Sequence, residues 1–257
     1  MKLIKHDSVI LKPVKMLCDT PLHNKLENTE LTKHFFNKTN FTLVVGVPGS
    51  GKTTFTVGFI QQIYKKVFNK VICVMPESSR ASLSKNPFHD LPPEQVFEEL
   101  NGDTVADIYN QVKDYSAEEE RTLLVLDDVQ HALKNKFVLQ SFKKIIANRR
   151  HLRTTIICIC QNYTALDKSL RLLVNNLICF NLGNVQFEKI KQEHLNMKQE
   201  TFDKIRKFAF KNPHDWILIN PDTERIFKGF DEISYKQEMN SDSDSDSDSD
   251  TEGKKKK

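Results

Sequence analysis

Gly46-Val-Pro-Gly-Ser-Gly-Lys-Thr53 matches the pattern G-x-x-x-x-G-K-S/T in full. It follows the apolar run Phe41-Thr-Leu-Val-Val45, and Phe55, Phe59, Ile63 and Val67 recur at helical spacing after it. A loop of this kind between a strand and a helix turns successive backbone N–H groups toward one anion. The positive end of the helix points at the same place. Gly46, Val47, Pro48, Gly49, Ser50, Gly51, Lys52, Thr53 and Thr54 are therefore the candidate nucleotide-binding segment. Lys52 is expected to bridge β- and γ-phosphate oxygens of ATP, and Thr53 to place its hydroxyl on Mg²⁺.

A second apolar strand, Thr122-Leu-Leu-Val-Leu126, ends in the carboxylates Asp127 and Asp128. Asp127 is the expected partner of the metal, and Asp128 the group that polarises an attacking water. The next strand, Thr155 to Cys160, ends at Gln161, whose amide is expected beside the γ-phosphate. The order of P-loop strand, intervening strand, two-Asp strand and Gln-ended strand is that of the additional-strand P-loop ATPases. It sets the Gln strand between the other two.

Further along, the spacing predicts a strand over 71–75, a short helix over 92–100 and a helix over 133–147. It also predicts a strand over 177–181, mostly helix over 189–210, and a closing hairpin of strands 216–220 and 225–230. Strands alternate with helices and lack internal polar alternation, which is the pattern of a parallel sheet covered on both faces. The expected fold is an α/β P-loop NTPase of the additional-strand type, with a C-terminal hairpin. Residues 1–40 read as an N-terminal arm, 41–233 as the ATPase domain and 234–257 as a disordered tail.

The chain resembles the genome-packaging ATPases of large nucleocytoplasmic DNA viruses, the poxvirus type, within the FtsK/HerA superfamily of DNA pumps. The likeness rests on Val45 to Thr54, on Leu124-Val-Leu-Asp-Asp-Val129, and on Arg149-Arg-His151 leading to Cys160-Gln161. It rests also on Leu170-Arg-Leu-Leu-Val-Asn-Asn176 before Ile178-Cys-Phe-Asn181. Asp128 stands where many such ATPases carry Glu, a shorter reach toward water. The resemblance implies a homo-oligomeric ring that translocates double-stranded DNA. An arginine from a neighbouring subunit would complete each site, with Arg150 and Arg171 favoured. It also implies capsid or membrane-associated viral packaging proteins as partners, and the host cytoplasm, in a viral factory, as the location.

The stretch from Val129 to Leu166 holds no acid but carries Lys134, Lys136, Lys143, Lys144, Arg149, Arg150 and Arg153. Apart from the candidate finger Arg150, these are the expected contacts to a phosphate backbone, independent of base sequence and sensitive to salt. No aromatic residues are spaced among them as a stacking platform for single strands, which favours duplex. The acidic run Glu118 to Glu120 is the other available partner for this charge.

Composition sets the outer limits. No apolar stretch is long enough for a transmembrane helix, and the first residues lack a secretory pattern. Cysteines 18, 73, 158, 160 and 179 form no C-x-x-C pair, so free buried thiols are expected rather than a zinc ribbon or disulfides. The formal charge of +4 is uneven. From Ser241 onward there are six acids and four lysines, which leaves the preceding residues at +6. The Ser-Asp repeat offers nothing to bury and cannot offset its ordering entropy. Two other functions fit the same motifs: a ring helicase or remodeller of another kind, and a nucleotide-dependent switch that does not hydrolyse.

Overall fold

The computed structural model describes residues 2–4, 39–64, 66–81, 83 and 87–235. Most of the expected arm, Cys18 and the Ser-Asp segment lie outside them.

Among the described residues ten strands form one sheet: β1 (Lys2–Ile4), β2 (Phe41–Val45), β3 (Lys70–Val74), β4 (Val96–Phe97), β5 (Thr122–Asp127), β6 (Thr154–Cys160), β7 (Asn176–Phe180), β8 (Trp216–Asn220), β9 (Arg225–Lys228) and β10 (Asp231–Ser234). Their order across the sheet is β1-β10-β9-β8-β7-β2-β6-β5-β3-β4. The six strands from β7 to β4 are parallel. Strands β8, β9, β10 and β1 extend that sheet in antiparallel fashion. As expected from the motifs, β6 lies between the P-loop strand β2 and the two-Asp strand β5.

The central strands are buried along their whole length, which is why their sequences show no polar alternation. Alternate residues still part to opposite faces. Phe41, Leu43 and Val45 of β2 join one core with Ile108, Phe142, Ile145, Phe187 and Phe202. Val44, between them, joins a second core with Phe59, Ile63 and Tyr64. The first face is covered by α3 (Gly102–Ala117), α4 (Lys136–Asn148), α6 (Asn184–His194) and α7 (Gln199–Ala209), and the second by α1 (Lys52–Gln62). Among the described residues the remaining α-helices, α2 (Glu77–Ala81) and α5 (Lys168–Arg171), are short.

Several expectations shift. Helix α1 stops at Gln62, short of Val67, because the buried Tyr64 anchors the chain to Asn40 and Lys66 turns it at a φ of 62°. The helix expected over 92–100 reduces to one 3₁₀ turn, Pro93–Gln95. Val96 and Phe97 instead pair with β3 as an edge strand. The long helix of this region is α3, capped by Asn101, whose Oδ1 accepts from Thr104 N at 2.9 Å. The helix of 189–210 is two helices, broken between His194 and Gln199. Trp216 packs edge-on against Phe55 and Phe230, at ring separations of 4.7 and 5.1 Å. Cys73, Cys158, Cys160 and Cys179 are buried free thiols.

Candidate nucleotide site

The parallel register brings the functional residues to one end of the sheet. Val45 is level with Cys160, and Asp127 with Ile159. Gly46, Gln161 and Asp128 therefore leave three neighbouring strands at nearly the same height, as expected for sites at the carboxyl ends of parallel strands.

The loop is wound tightly on its glycines. A Cβ on Gly46 would lie 2.8 Å from the Phe180 Cβ, a contact that side chains do not make. Gly51 has a φ of +98°, and a Cβ there would come within 3.3 Å of the His214 Nδ1. Val47, Pro48 and Gly49 form the exposed crown, and Thr54 is exposed one residue beyond Thr53. Lys52 opens α1, is buried, and donates from Nζ to the Val47 carbonyl at 2.9 Å. Burial pushes its ammonium below the usual lysine value, against the pull of Asp127 and Asp128. The Ser50 Oγ is buried and has no hydrogen-bond partner among the described residues.

The Thr53 hydroxyl donates to Asp127 Oδ2 at 3.4 Å. Burial raises the Asp127 carboxyl above the usual carboxylate range, and the charge of Asp128 adds to that. Thr53 and Lys52 partly offset both. Asp128 bends the chain out of β5 at a φ of 56° and is exposed. Gln161 Nε2 donates to Asp128 Oδ1 at 3.4 Å. Gln130, which sequence reasoning passed over, accepts from the backbone N–H of both Gln161 and Asn162 at 3.3 Å. Its only sequence signal is a polar amide three residues past a strand end.

The loop cradle, the orphan Ser50 hydroxyl and the hard oxygen pair of Thr53 and Asp127 suit a polyphosphate with a small divalent cation. Beside the crown is a cavity of about 420 Å³, walled by Val47 to Ser50, Phe180, Asn181 and the segment Phe210 to Asp215. None of the segment from 210 to 215 was marked by the motif.

The candidate arginines divide. Arg171 is buried, 5% exposed. Its Nε and Nη2 donate to the two oxygens of Glu193 at 2.8 and 2.6 Å, and Nη1 donates to the Leu166 carbonyl at 2.5 Å. Its guanidinium also lies 4.9 Å from the Tyr163 ring centroid. Each nitrogen of that group has a partner within the chain, so a role as a finger, the sequence expectation, would require these bonds to be exchanged. Arg150 is exposed in the turn before β6.

The basic stretch also divides. Lys134, Lys136 and Lys144 are exposed. Lys143 donates to Ser169 Oγ at 2.7 Å. Arg149 turns inward to the Ile146 carbonyl and Asn175 Oδ1, both at 2.9 Å, and burial lowers its guanidinium from the usual value. Arg153 is paired with Glu119 at 3.4 Å, in the acidic run named above. Arg149 thus faces inward, while the Arg153 pair with Glu119 is solvent-exposed, 40% and 82% at the two side chains.

The family described as Poxvirus A32 protein has a model that matches residues 24–211. The fold is similar to the genome packaging NTPase B204 from Sulfolobus turreted icosahedral virus 2 in complex with AMP, with a TM-score of 0.59 at 15% identity, covering 75% of this chain and 97% of that one. The same protein in complex with ATP-gammaS gives 0.58 at 17% identity, covering 74% and 96%. B204, the DNA-packaging ATPase from Sulfolobus Turreted Icosahedral Virus, gives 0.58 at 14%, covering 73% and 95%. No curated protein matches the sequence significantly. The match to the family model spans most of the chain, and with the P-loop and two-Asp geometry it identifies this protein as a member of the poxvirus A32 family.

Proposed function

We propose that this chain hydrolyses ATP with Mg²⁺ and, as a homo-oligomeric ring, drives double-stranded DNA into a viral capsid. The observation that carries the reading is the Thr53–Asp127 hydrogen bond, which ties the phosphate loop to the two-carboxylate strand. Membership in the poxvirus A32 family and a fold like that of viral packaging NTPases support it.

The loop amides and Lys52 hold the triphosphate, while Thr53 and Asp127 hold the magnesium shell. Magnesium, when bound, supplies charge neutralisation at the β- and γ-oxygens. Asp128 accepts a hydrogen bond from the attacking water, and Gln161, already bonded to Asp128, orients that water. Arg150 lies in the turn before Thr154, whereas Gln161 follows Cys160. The seven residues of β6 put about 20 Å between its two ends, far beyond one side chain. Arg150 is thus out of reach of its own γ-phosphate, which supports a role at the γ-phosphate of a neighbour.

Lys134 and Lys136 flank the start of α4, and its first turn holds no acid. Helix electrostatics favour acids there. Lysines kept at that end suit an external polyanion, and a viral DNA phosphate backbone in the host cytoplasm fits that chemistry. Among the described residues no helix is long and apolar enough to cross a membrane. Capsid or membrane-associated viral packaging proteins are the partners this reading implies.

The test is phosphate release across a protein-concentration series, with and without duplex DNA. Turnover that rises with concentration and again with duplex supports the reading. Nucleotide binding without release under all conditions identifies a switch, and stimulation by single strands with unwinding identifies a helicase.

A further inference from the structure

The His214 Nδ1 lies 2.9 Å from the Ser50 carbonyl oxygen, across the base of the phosphate loop. A carbonyl only accepts, so Nδ1 carries the proton. The imidazole is held in place from both directions along the chain. His214 itself sits at a φ of 66°, the left-handed region. The neighbouring Asp215 carboxylate takes the N–H groups of Lys211 and Asn212 at 2.9 and 2.8 Å and the Lys228 ammonium at 3.2 Å. Gly51, with no Cβ, permits the ring to approach the loop.

The consequence lies in the peptide that joins Ser50 to Gly51. Its bond is trans, so its C=O and N–H point in opposite directions. A donor that fixes the carbonyl outward, toward the 210–215 segment, turns the Gly51 N–H toward the other side of the loop. In a loop of this pattern the backbone N–H groups form the phosphate cradle. We infer that His214 is a positioning residue for phosphate binding: it clamps the Ser50 carbonyl and so aims the Gly51 amide at the polyphosphate. The inference rests on the nucleotide reading proposed above and adds a residue from outside the motif. His214 also walls the 420 Å³ cavity at the crown, so the same segment that would meet a nucleoside braces the phosphate cradle.

Two variants separate the donor from the backbone. His214→Asn keeps an N–H donor near the Nδ1 position and tolerates a positive φ. His214→Gly tolerates the same backbone and has no donor. The probes are Mg-ATP and inorganic tripolyphosphate with magnesium, each measured at equilibrium against the full chain by competition with a fluorescent ATP analogue. Thermal melting confirms that each variant folds.

His214→Gly should weaken both probes by the same factor, about 3–10-fold, the worth of one such hydrogen bond. His214→Asn should stay within about twofold of wild type for both. Three outcomes overturn the inference: Gly binding like wild type, Gly losing ATP but not tripolyphosphate, or Asn as weak as Gly. The second of these would make His214 a nucleoside contact only. A wild type that binds neither probe overturns the nucleotide reading as well, and so is distinct from the other three.

Discussion

The Thr53 hydroxyl and the Asp127 carboxylate meet at 3.4 Å, although 74 residues separate them in the chain. That contact joins the first turn of α1 to the last residue of β5. On the proposed reading, it would offer a hard cation two oxygen partners on rigid elements.

Asp127→Asn should abolish magnesium-supported phosphate release, by at least about 100-fold, since the metal loses its anionic anchor. Stability should move the other way. Burial raises the Asp127 carboxyl, so stability falls as pH rises from the ordinary carboxylate value, and the penalty is complete above the raised folded value. In a chelator near neutral pH, Asp127→Asn should therefore melt higher than wild type. Calorimetry with and without magnesium checks both signs.

Gln130 holds the two amides that launch Gln161 and Asn162 off β6. Gln130→Ala should lower kcat by about 10–100-fold with little change in KM, because it displaces the water-orienting amide without touching the phosphate loop. Steady-state kinetics with saturating magnesium separates the two constants.

The Arg171–Glu193 pair is 7% and 5% exposed at its side chains. Burial alone would raise the Glu193 carboxyl, but Arg171 and the Tyr163 hydroxyl hold it down to about 2. A depressed carboxyl stabilises the fold fully above its unfolded value. The contribution is lost as pH falls from about 4.3 toward 2. Glu193→Gln should remove this part of the acid sensitivity. Arg171→Ala, which leaves the carboxylate buried and unpaired, should cost about 3–5 kcal/mol at neutral pH in a urea melt.

Arg150 and Arg171 should behave differently in mixed rings. Arg150→Ala mixed with Asp128→Asn should recover part of the phosphate release that each lacks alone, since intact halves meet at some interfaces. A destabilised Arg171→Ala chain should give no such recovery. Absence of recovery with Arg150→Ala at every mixing ratio counts against the trans role.

The central sheet was legible because fully buried parallel strands need unbroken apolar runs. Val44, Ile157 and Leu124 leave no other reading. Loop, carboxylates and Gln161 were legible because strand order alone aligns them. Helix α3 was missed because Val105, Ile108 and Val112 are its only fully hydrophobic anchors in a polar stretch. The Arg171 pairing was not legible because Glu193 lies 22 residues on, across a strand and a loop, and no local pattern announces the pair. His214 carried no signal for the same reason: Ser50 is 164 residues away.

The most direct check is a crystal structure with Mn²⁺ and a non-hydrolysable ATP analogue, with the metal located by anomalous scattering. A metal about 2.1–2.2 Å from the Thr53 hydroxyl, joined to Asp127 directly or through one water, with Lys52 on the β- and γ-phosphates, is the expected result. A metal bound elsewhere, or phosphates seated away from the 46–53 loop, would contradict the account at its base.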